Sequence, residues 1–416
     1  MVRDTDPAVN GGRTSPRSRL VRWWFAPLPA PPEALRRGPL RPGAFRSPLR
    51  STRLTTLLGM ALGVAFSVCF LTGLLSHLIQ HPPGWFWWPA RPVWLYRVTQ
   101  GVHVATGLAA VPLLGVKLWS VYPRLFSWPP ARSIAHAAER ASIAVLVAAA
   151  LFQLVGGVLN ISHWYAPMPF FFTTGHYWVA WLTIGALLVH LGVQLPAIRA
   201  SLKGEVSQSD HARAARLSRR RLLTGVGTAA GLVTLTTVGQ TIRPLSGLAL
   251  LAPRRPGDGP QSLPVNKTAN GAGVRAAALD PSYRMIVAGP SGRHSLDLTD
   301  LNALPQHTAE LPIACVEGWS VNATWTGVRL RDLAALVCED PERVWVLVES
   351  LQADGRYRAT TVPPEHARDP LTLVALRLGG EVLHVDHGYP ARLIAPNRPG
   401  VLQTKWIGRI TVLGSR

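Results

Sequence analysis

Cysteine and acidic residues are both scarce in this sequence. Three cysteines in 416 residues, at positions 69, 315 and 338, do not make a disulfide framework. There are 22 Asp and Glu against 43 Lys and Arg, so the formal net charge is +21. Charged residues are only 16% of the chain and hydrophobic residues are 48%, so the apolar residues must be concentrated in particular segments.

The positive charge lies beside the apolar segments. Residues 1–54 hold eleven arginines against three acidic residues, and a second basic cluster occupies residues 199–221. On a soluble protein this charge would indicate nucleic acid. Basic residues that flank apolar spans indicate cytoplasmic loops instead, so we expect no nucleic-acid partner. Residues 1–54, rich in Arg, Pro and Gly, are interpreted as a disordered basic cytoplasmic tail.

Five apolar segments are long enough to cross a bilayer, which takes about 20 residues. They are residues 55–79, 98–119, 141–162, 177–198 and 222–242. The first four predict an all-α membrane bundle over residues 55–198, in contact with lipid. Residues 199–242 then form a basic loop and a weaker fifth span. With basic loops inside and an odd number of spans, the C-terminal part lies on the outer face of the plasma membrane.

The fifth span is preceded by "SRRRLL" at residues 218–223. These arginines act as a positive flank, and they also match a twin-arginine export motif, which serves proteins that are exported folded. A linker rich in Pro and Gly follows at residues 243–262. Beyond it, short β-type runs such as "YRMIVAG" and "VWVLVES" surround a helical "LRDLAALV". Residues 263–416 are therefore predicted to form an α+β domain.

Histidines in the apolar segments indicate a metal site, because ionisable groups in a bilayer are costly and usually functional. His176 and His190 are fourteen residues apart on the fourth span, close to four helical turns or about 21 Å. His103 on the second span matches His176 at the outer level, but Lys117 stands fourteen residues after it. Neutral imidazole is a good iron ligand, so His103 and His176 predict a b-type haem. His190 is a candidate ligand for a second haem, so the sequence allows one haem or two.

Two alternatives remain for these histidines. A membrane histidine can hydrogen-bond to a neighbouring helix and bind no metal. His77 and His163, also near the outer surface, can form the haem-binding pair instead. Residues 55–198 resemble four-helix membrane cytochromes b of the cytochrome b561 and formate dehydrogenase gamma-subunit kind, through histidine placement and patterns such as "HVATG" and "KLW". The departure from that family is Lys117, where a two-haem member has His.

The remaining question is Cys315, since a cysteine in an apolar strand is usually a small buried hydrophobe. It begins "CVEGWSVNATWTGVRLRDL" at residues 315–333. With "LPVNKTANGAGV" (263–274) and "DHGYPARLIAPNRPGVLQTKWIGRITV" (386–412), this stretch resembles the sulfite oxidase-fold molybdopterin domains, in the right order. The resemblance implies molybdopterin as the cofactor, with the Cys315 thiolate binding molybdenum as a soft ligand.

The resemblance also implies roles for other residues. Positions that hold the pterin or its phosphate fall on Asn266, His387, Arg392 and Lys405. Tyr357 is expected to approach the metal from the substrate side as a catalytic residue. The family pattern Asp-Gly-Tyr is interrupted here by Arg356. Trp319 and Trp325 are expected in the core.

Together these features predict a membrane-bound molybdenum-dependent oxidoreductase. An oxygen atom would be transferred at an external centre, with b-type haem linking that centre to the quinone pool. The substrate is expected to be a small molecule or an oxidised protein, as in a sulfoxide-type reductase. The alternatives are a sulfite-type oxidase that delivers electrons to quinone, and a non-catalytic membrane-anchored binding domain.

Overall fold

The computed structural model describes residues 16–27, 47, 49–125, 131–203 and 210–414. The chain divides into two compact units. The first comprises the described residues up to Ala61, with Leu114–Gln153 and Val179–Leu223. The second comprises Leu62–Leu113, Leu154–Trp178 and the described residues from Thr224 onward.

Five long helices carry the apolar segments. They are α2 (Thr52–Gln80), α3 (Leu95–Leu125), α4 (Ile134–Ile161), α5 (Phe172–Lys203) and α6 (Asp210–Val238). Each contains a stretch long and apolar enough to cross a membrane, with mean hydropathies from 1.5 to 2.3. The five predicted apolar helices are therefore confirmed, and a multi-pass membrane protein is compatible with them. Their orientation stays a prediction.

Two boundaries differ from the sequence prediction. Within the supposed disordered tail, residues Pro16–Phe25 form a short helix, α1, while most of the rest of residues 1–46 lies outside the described residues. Helix α6 begins at Asp210, inside the predicted basic loop, so "SRRRLL" is helical. Arg and Ala have high helix propensity, and a hydropathy window detects only the apolar part of such a helix.

The C-terminal part is α+β, as predicted. Its short helices are α7 (Arg275–Ala278), α8 (Leu298–Ala303), α9 (Leu330–Ala335) and α10 (Pro364–Ala367). Its strands are β1 (Met285–Gly289), β2 (Gly292–Leu296), β3 (His307–Ala314), β4 (Ser320–Arg329), β5 (Trp345–Ser350), β6 (Ala359–Val362), β7 (Leu373–Leu378), β8 (Glu381–Val382), β9 (Arg392–Ile394) and β10 (Ile407–Leu413).

The strands form two five-stranded sheets. One has the order β2-β1-β10-β5-β6, in which only β1 and β10 are parallel. The other has the order β3-β4-β7-β8, with β9 paired to β7. Alternate residues of β5, Val346 and Val348, are fully buried, as the two-residue period of a strand requires. Trp319 and Trp325 are buried in the core beside β3 and β4, as expected.

The turn between β3 and β4 positions the site. Strand β3 ends at Ala314 and strand β4 starts at Ser320, so residues 315–319 form the connection. The backbone of Ala314 also makes a parallel bridge with Pro399. Two segments that the sequence analysis identified separately, around Cys315 and within residues 386–412, therefore lie side by side.

Candidate functional site

Cys315 lies in a tight, closed turn. Its backbone N–H donates to the Trp319 carbonyl at 2.9 Å, and the Gly318 N–H donates to the Cys315 carbonyl at 3.1 Å. Gly318 has φ +91°, a left-handed conformation that favours glycine. Only 4% of Cys315 is exposed. We call residues 315–319 the Cys315 turn.

The sulfur of Cys315 has a hydrogen-bond donor aimed at it. Asn266 Nδ2 donates to Sγ at 2.8 Å, so the structure brings together two residues that the sequence analysis singled out. Burial, together with the nearby charge of Glu317, raises the pKa of the Cys315 thiol well above its usual range. A metal cation reverses that preference, because a coordinating thiol is deprotonated.

Glu317 is a residue that the sequence reasoning missed. Its Oε2 lies 2.5 Å from His163 Nε2 and accepts from Trp319 Nε1 at 3.2 Å. His163 follows the end of α4 in the same compact unit. Burial and the Glu317 charge raise the pKa of neighbouring Tyr165 to about 12. The sequence shows an acidic residue two positions after Cys315, which was a signal for Glu317. No sequence pattern identifies its partner, His163.

Arg392 is a buried cation with one nitrogen left unpartnered in the part of the chain that the structure describes. It is 6% exposed, and burial lowers its pKa to about 9. Its Nη1 donates to the His387 carbonyl at 3.2 Å and the guanidinium lies 5.3 Å from the Trp325 ring centroid. Its buried Nε has no hydrogen-bond partner among the described residues. A buried charge of this kind is costly unless it is paired, and phosphate pairs well with Arg.

Lys405 and His387 lie next to Arg392. Lys405 Nζ donates to the carbonyls of Lys267 and Asp386, and burial, with the charge of Arg392, lowers its pKa to about 7. Burial likewise lowers the pKa of His387 to about 4, so its imidazole is neutral at pH 7. The His387 Nε2–H donates to the Pro260 carbonyl at 2.6 Å, which leaves Nδ1 as an acceptor.

Gly388 explains the close approach of these side chains. A Cβ at this position would lie 3.1 Å from the Cβ atoms of Arg392 and Lys405, and its φ is +112°. A larger residue at position 388 would therefore both strain the backbone and push the two cations apart. This glycine is part of the His-Gly-x-Pro-x-Arg run in the sequence.

Arg398 and His366 are two further buried residues that the sequence analysis did not identify. Arg398 Nη2 donates to Thr360 Oγ1 at 3.2 Å, its Nη1 has no partner in the described part of the chain, and burial lowers its pKa to about 10. His366 is 2% exposed and burial lowers its pKa to about 3. The signal for Arg398 was its place inside the motif at 386–412.

Tyr357 and Arg356 contact the ends of the apolar helices. The Tyr357 hydroxyl donates to Gln80 Oε1 at 3.3 Å, and burial raises the pKa of Tyr357. Arg356 lies 3.2 Å from His81 Nε2 and 5.1 Å from the Phe171 ring centroid. The extra arginine thus anchors its loop to α2 and to the segment before α5. A role for Tyr357 beside the metal stays a prediction.

The structure brings His103 and His176 together. Their ring centroids are 6.1 Å apart and the rings are nearly perpendicular, at 77°. His103 Nδ1 lies 2.9 Å from the Cys69 carbonyl, which can only accept, so Nδ1 carries the proton and Nε2 is the nitrogen with the lone pair. A Cβ on Gly73 would lie 2.9 Å from His103 Cε1, so the glycine makes room for the ring.

The alternative histidines have other neighbours. His77 stacks on Tyr177, with centroids 3.8 Å apart and an interplanar angle of 13°, and also contacts His81. His163 contacts Glu317, as described above. The geometry therefore favours the pair His103 and His176 over the pair His77 and His163.

His190 and Lys117 belong to the first compact unit. Lys117 Nζ donates to the Thr55 carbonyl at 2.6 Å. A Cβ on Gly59 would lie 3.0 Å from that Nζ. Within the described ranges, no group of three or more His, Cys, Asp or Glu residues could hold a metal ion by itself.

Comparison with known proteins identifies the C-terminal part. Residues 273–416 match the family model "Oxidoreductase molybdopterin binding domain". The C-terminal region is a sulfite-oxidase-like molybdopterin-binding domain. The match contains Cys315, Arg392 and Lys405, whereas Asn266 lies seven residues before residue 273, where it begins.

Three curated relatives support this identification. Mouse (Mus musculus) mitochondrial sulfite oxidase is 32% identical over 164 residues, covering 32% of this chain and 30% of that protein. A putative protein-methionine-sulfoxide reductase subunit, YedZ1, of Azospira oryzae is 33% identical over 135 residues, covering 32% of this chain and 50% of that protein. The protein-methionine-sulfoxide reductase catalytic subunit MsrP of Gluconobacter oxydans is 33% identical over 112 residues, covering 24% of this chain and 36% of that protein. This chain thus spans half or less of each relative.

The residues of the molybdopterin-binding domain fit the cofactor that its family name implies. A buried thiol with an amide donor on its sulfur suits a soft metal ligand, and Cys315 supplies it. A buried guanidinium with an unpartnered nitrogen suits a phosphate, and Arg392 supplies it.

Proposed function

We propose that this chain is a membrane-bound, molybdenum-dependent oxidoreductase that reduces sulfoxide-type substrates. Quinol is the electron donor, and a b-type haem on His103 and His176 carries the electrons to the molybdopterin-binding domain. The observation that carries the proposal is the buried Cys315 sulfur, with the Asn266 amide donated to it, in the same compact unit as the paired imidazoles.

The chain's own residues have distinct roles at the molybdenum centre. Cys315 holds the metal through its thiolate, and Asn266 stabilises the negative sulfur by donating to it. Arg392 and Lys405 pair with the pterin phosphate, which supplies the negative charge that their burial requires. Neutral His387 offers Nδ1 to a donor on the pterin. Molybdopterin, when bound, supplies oxygen-atom transfer coupled to two electrons.

The paired imidazoles support the haem assignment. Two imidazoles with ring centroids about 6 Å apart could both bind one metal ion. The observed separation for His103 and His176 is 6.1 Å. The Nδ1 hydrogen bond of His103 to a backbone carbonyl fixes the tautomer that ligation needs. The chemistry that haem supplies is one-electron transfer.

The reductive direction is supported by two relatives, YedZ1 and MsrP, which are named as protein-methionine-sulfoxide reductase subunits. Other relatives, the mouse protein among them, are named as sulfite oxidases. The balanced reaction is quinol plus sulfoxide to quinone plus sulfide plus water. The second candidate is a sulfite-type oxidase that delivers electrons to quinone, which the sulfite oxidase relatives favour. A binding domain without catalysis is the third.

One set of measurements on the purified full-length chain separates these candidates. We expect stoichiometric molybdenum, a b-type haem absorption band, and turnover of methionine sulfoxide with a quinol analogue. Turnover of sulfite but of no sulfoxide would replace the proposed direction with the oxidase. Absence of molybdenum from protein made in cells with ample molybdate would leave only the binding domain.

A further inference from the structure

The Cys315 turn is hydrogen-bonded directly to the helix that carries His103. Gln100 Nε2 on α3 donates to the Val316 carbonyl at 2.7 Å. Gln100 is only 5% exposed. Val316 is the residue after Cys315, and Gln100 is three residues before His103. One side-chain hydrogen bond therefore links the turn of the proposed molybdenum ligand to the helix of the proposed haem ligand.

Close packing also brings the Cys315 turn against helix α3. A Cβ on Gly318 would lie 2.7 Å from Val104 Cγ2, so the turn touches α3 where glycine leaves room. Gln100 and Val104 are four residues apart and lie on one face of the helix. The turn thus meets α3 at two points one helical turn apart, with His103 between them in sequence.

Asn397 fixes the start of α3 to the neighbouring strand segment. Its Oδ1 accepts from the Tyr96 N–H at 2.7 Å, and its Nδ2 donates to the Pro89 carbonyl at 2.7 Å. Tyr96 is in the first turn of α3, where backbone N–H groups have no partner within the helix. Asn397 satisfies one of them from a distant part of the chain. Pro399, two residues on, bridges to Ala314 beside the turn.

We propose that Gln100 is a positioning residue that couples the proposed haem to the molybdenum centre within one polypeptide. This inference rests on the proposed function. The connection runs from Cys315 to the Val316 carbonyl, across one hydrogen bond to the Gln100 amide, and along α3 to His103. Two electrons from one quinol cross it in succession, and two protons join them at the sulfoxide oxygen to form water and sulfide.

The alternative roles of Gln100 predict different behaviour. If Gln100 only fills space, an apolar side chain of equal length would serve as well. If a diffusible carrier delivers electrons to the molybdenum centre, the contact would be irrelevant to their transfer. Only the coupling role makes the internal electron-transfer rate sensitive to the donor at this position while the cofactors stay bound.

The test uses two variants and a matched control in the full-length protein. Gln100→Met keeps the length and removes the donor, whereas Gln100→Asn keeps a buried amide that cannot reach Val316. Thr99→Val is the control, because among the described residues the Thr99 hydroxyl donates only within α3, to the Tyr96 carbonyl. Haem is reduced with a quinol analogue, methionine sulfoxide is added, and haem reoxidation is followed by stopped-flow absorbance.

We expect reoxidation about 10–100-fold slower in both Gln100 variants, the range for losing an outer-shell partner of a metal ligand, and unchanged in Thr99→Val. Molybdenum content, haem content and the KM for sulfoxide should stay at wild-type values. Backbone amides of residues 315–319 should also exchange hydrogen faster in cofactor-free Gln100→Met. Wild-type reoxidation rates in both Gln100 variants would overturn the inference. Failure of the wild type itself to reoxidise would instead contradict the proposed function.

Discussion

Buried charge and a buried thiol define the site at the scale of single residues. Arg392 and Lys405 are cations held inside the molybdopterin-binding domain, where burial lowers the pKa of each. Cys315 is a thiol whose pKa burial raises. Burial of each group alone costs free energy, and that cost is offset when an anionic phosphate or a metal cation binds to it. The cofactor-free protein should therefore be less stable than the protein with cofactor bound.

Replacement of Cys315 by serine should abolish turnover. A hydroxyl is a poor ligand for a soft metal site, and no other sulfur lies in the Cys315 turn. The matched control is Cys338→Ser, because Cys338 is half-buried, packs against the edge of the hydrophobic core and has its Sγ 3.5 Å from the Asp340 carbonyl, away from the Cys315 turn. The checks are molybdenum content and sulfoxide turnover. Wild-type turnover by Cys315→Ser would remove Cys315 from its proposed role.

Lys405 should make the stability of the cofactor-free protein depend on pH. Its folded-state pKa is about 7, below the ordinary lysine value of about 10.4. Between these values the unfolded chain binds more protons than the folded one, so stability rises as pH rises from about 7 toward 10. Below pH 7 this dependence disappears, because Lys405 is protonated in both states.

The measurement is the Tm of cofactor-free protein at pH 7, 8 and 9 for wild type and Lys405→Met. We expect Tm to rise more steeply with pH in the wild type. With cofactor bound, the phosphate keeps Lys405 charged, and the difference between the two proteins in slope should shrink. Equal slopes in the cofactor-free proteins would show that Lys405 does not titrate in this range.

At the scale of elements, a spacing of fourteen residues recurs in the long helices. Gly73 lies against the His103 ring, and Gly59, fourteen residues earlier, lies against Lys117, fourteen residues after His103. Each glycine makes room for a large side chain on α3. At the second position that side chain is an amine bonded to the Thr55 carbonyl rather than an imidazole. We therefore propose one haem, with His190 not serving as a ligand.

Haem content should follow the outer histidines alone. His103→Ala and His176→Ala should each lose the reduced b-type band, because each would remove one of the two proposed haem ligands. His190→Ala and His77→Ala should keep a full complement, and they serve as the matched controls. The measurement is the pyridine haemochrome content per protein. Loss of haem in His77→Ala with retention in His103→Ala would restore the alternative pair.

Parts of these elements could be predicted from sequence and others could not. The long helices follow from apolar length, and Cys315 and Arg392 follow from short motifs in which neighbours in sequence act together. Helix α6 was misplaced at its start because basic residues continue a helix without being apolar. The bond from Gln100 to Val316 joins residues 216 positions apart, and no local pattern marks such a contact.

At the scale of the whole molecule, the proposal joins membrane helices and a redox domain in one chain. The basic segments at residues 1–54 and 199–221 support a cytoplasmic N-terminus and an external molybdopterin-binding domain. On that arrangement, protease added to the outer face should release the C-terminal domain. Cleavage of the domain only by protease on the cytoplasmic face would show that the domain lies inside the cell, opposite to the proposed topology.

The most direct test of the central claim follows the proposed haem in the purified full-length protein. Quinol analogue is added under anaerobic conditions until the haem is reduced, and methionine sulfoxide is then supplied. The account predicts that the haem band is oxidised again and that one sulfide forms for each two electrons removed. Haem that stays reduced with every sulfoxide, yet is reduced readily by sulfite when it starts oxidised, would contradict the proposed direction of electron flow.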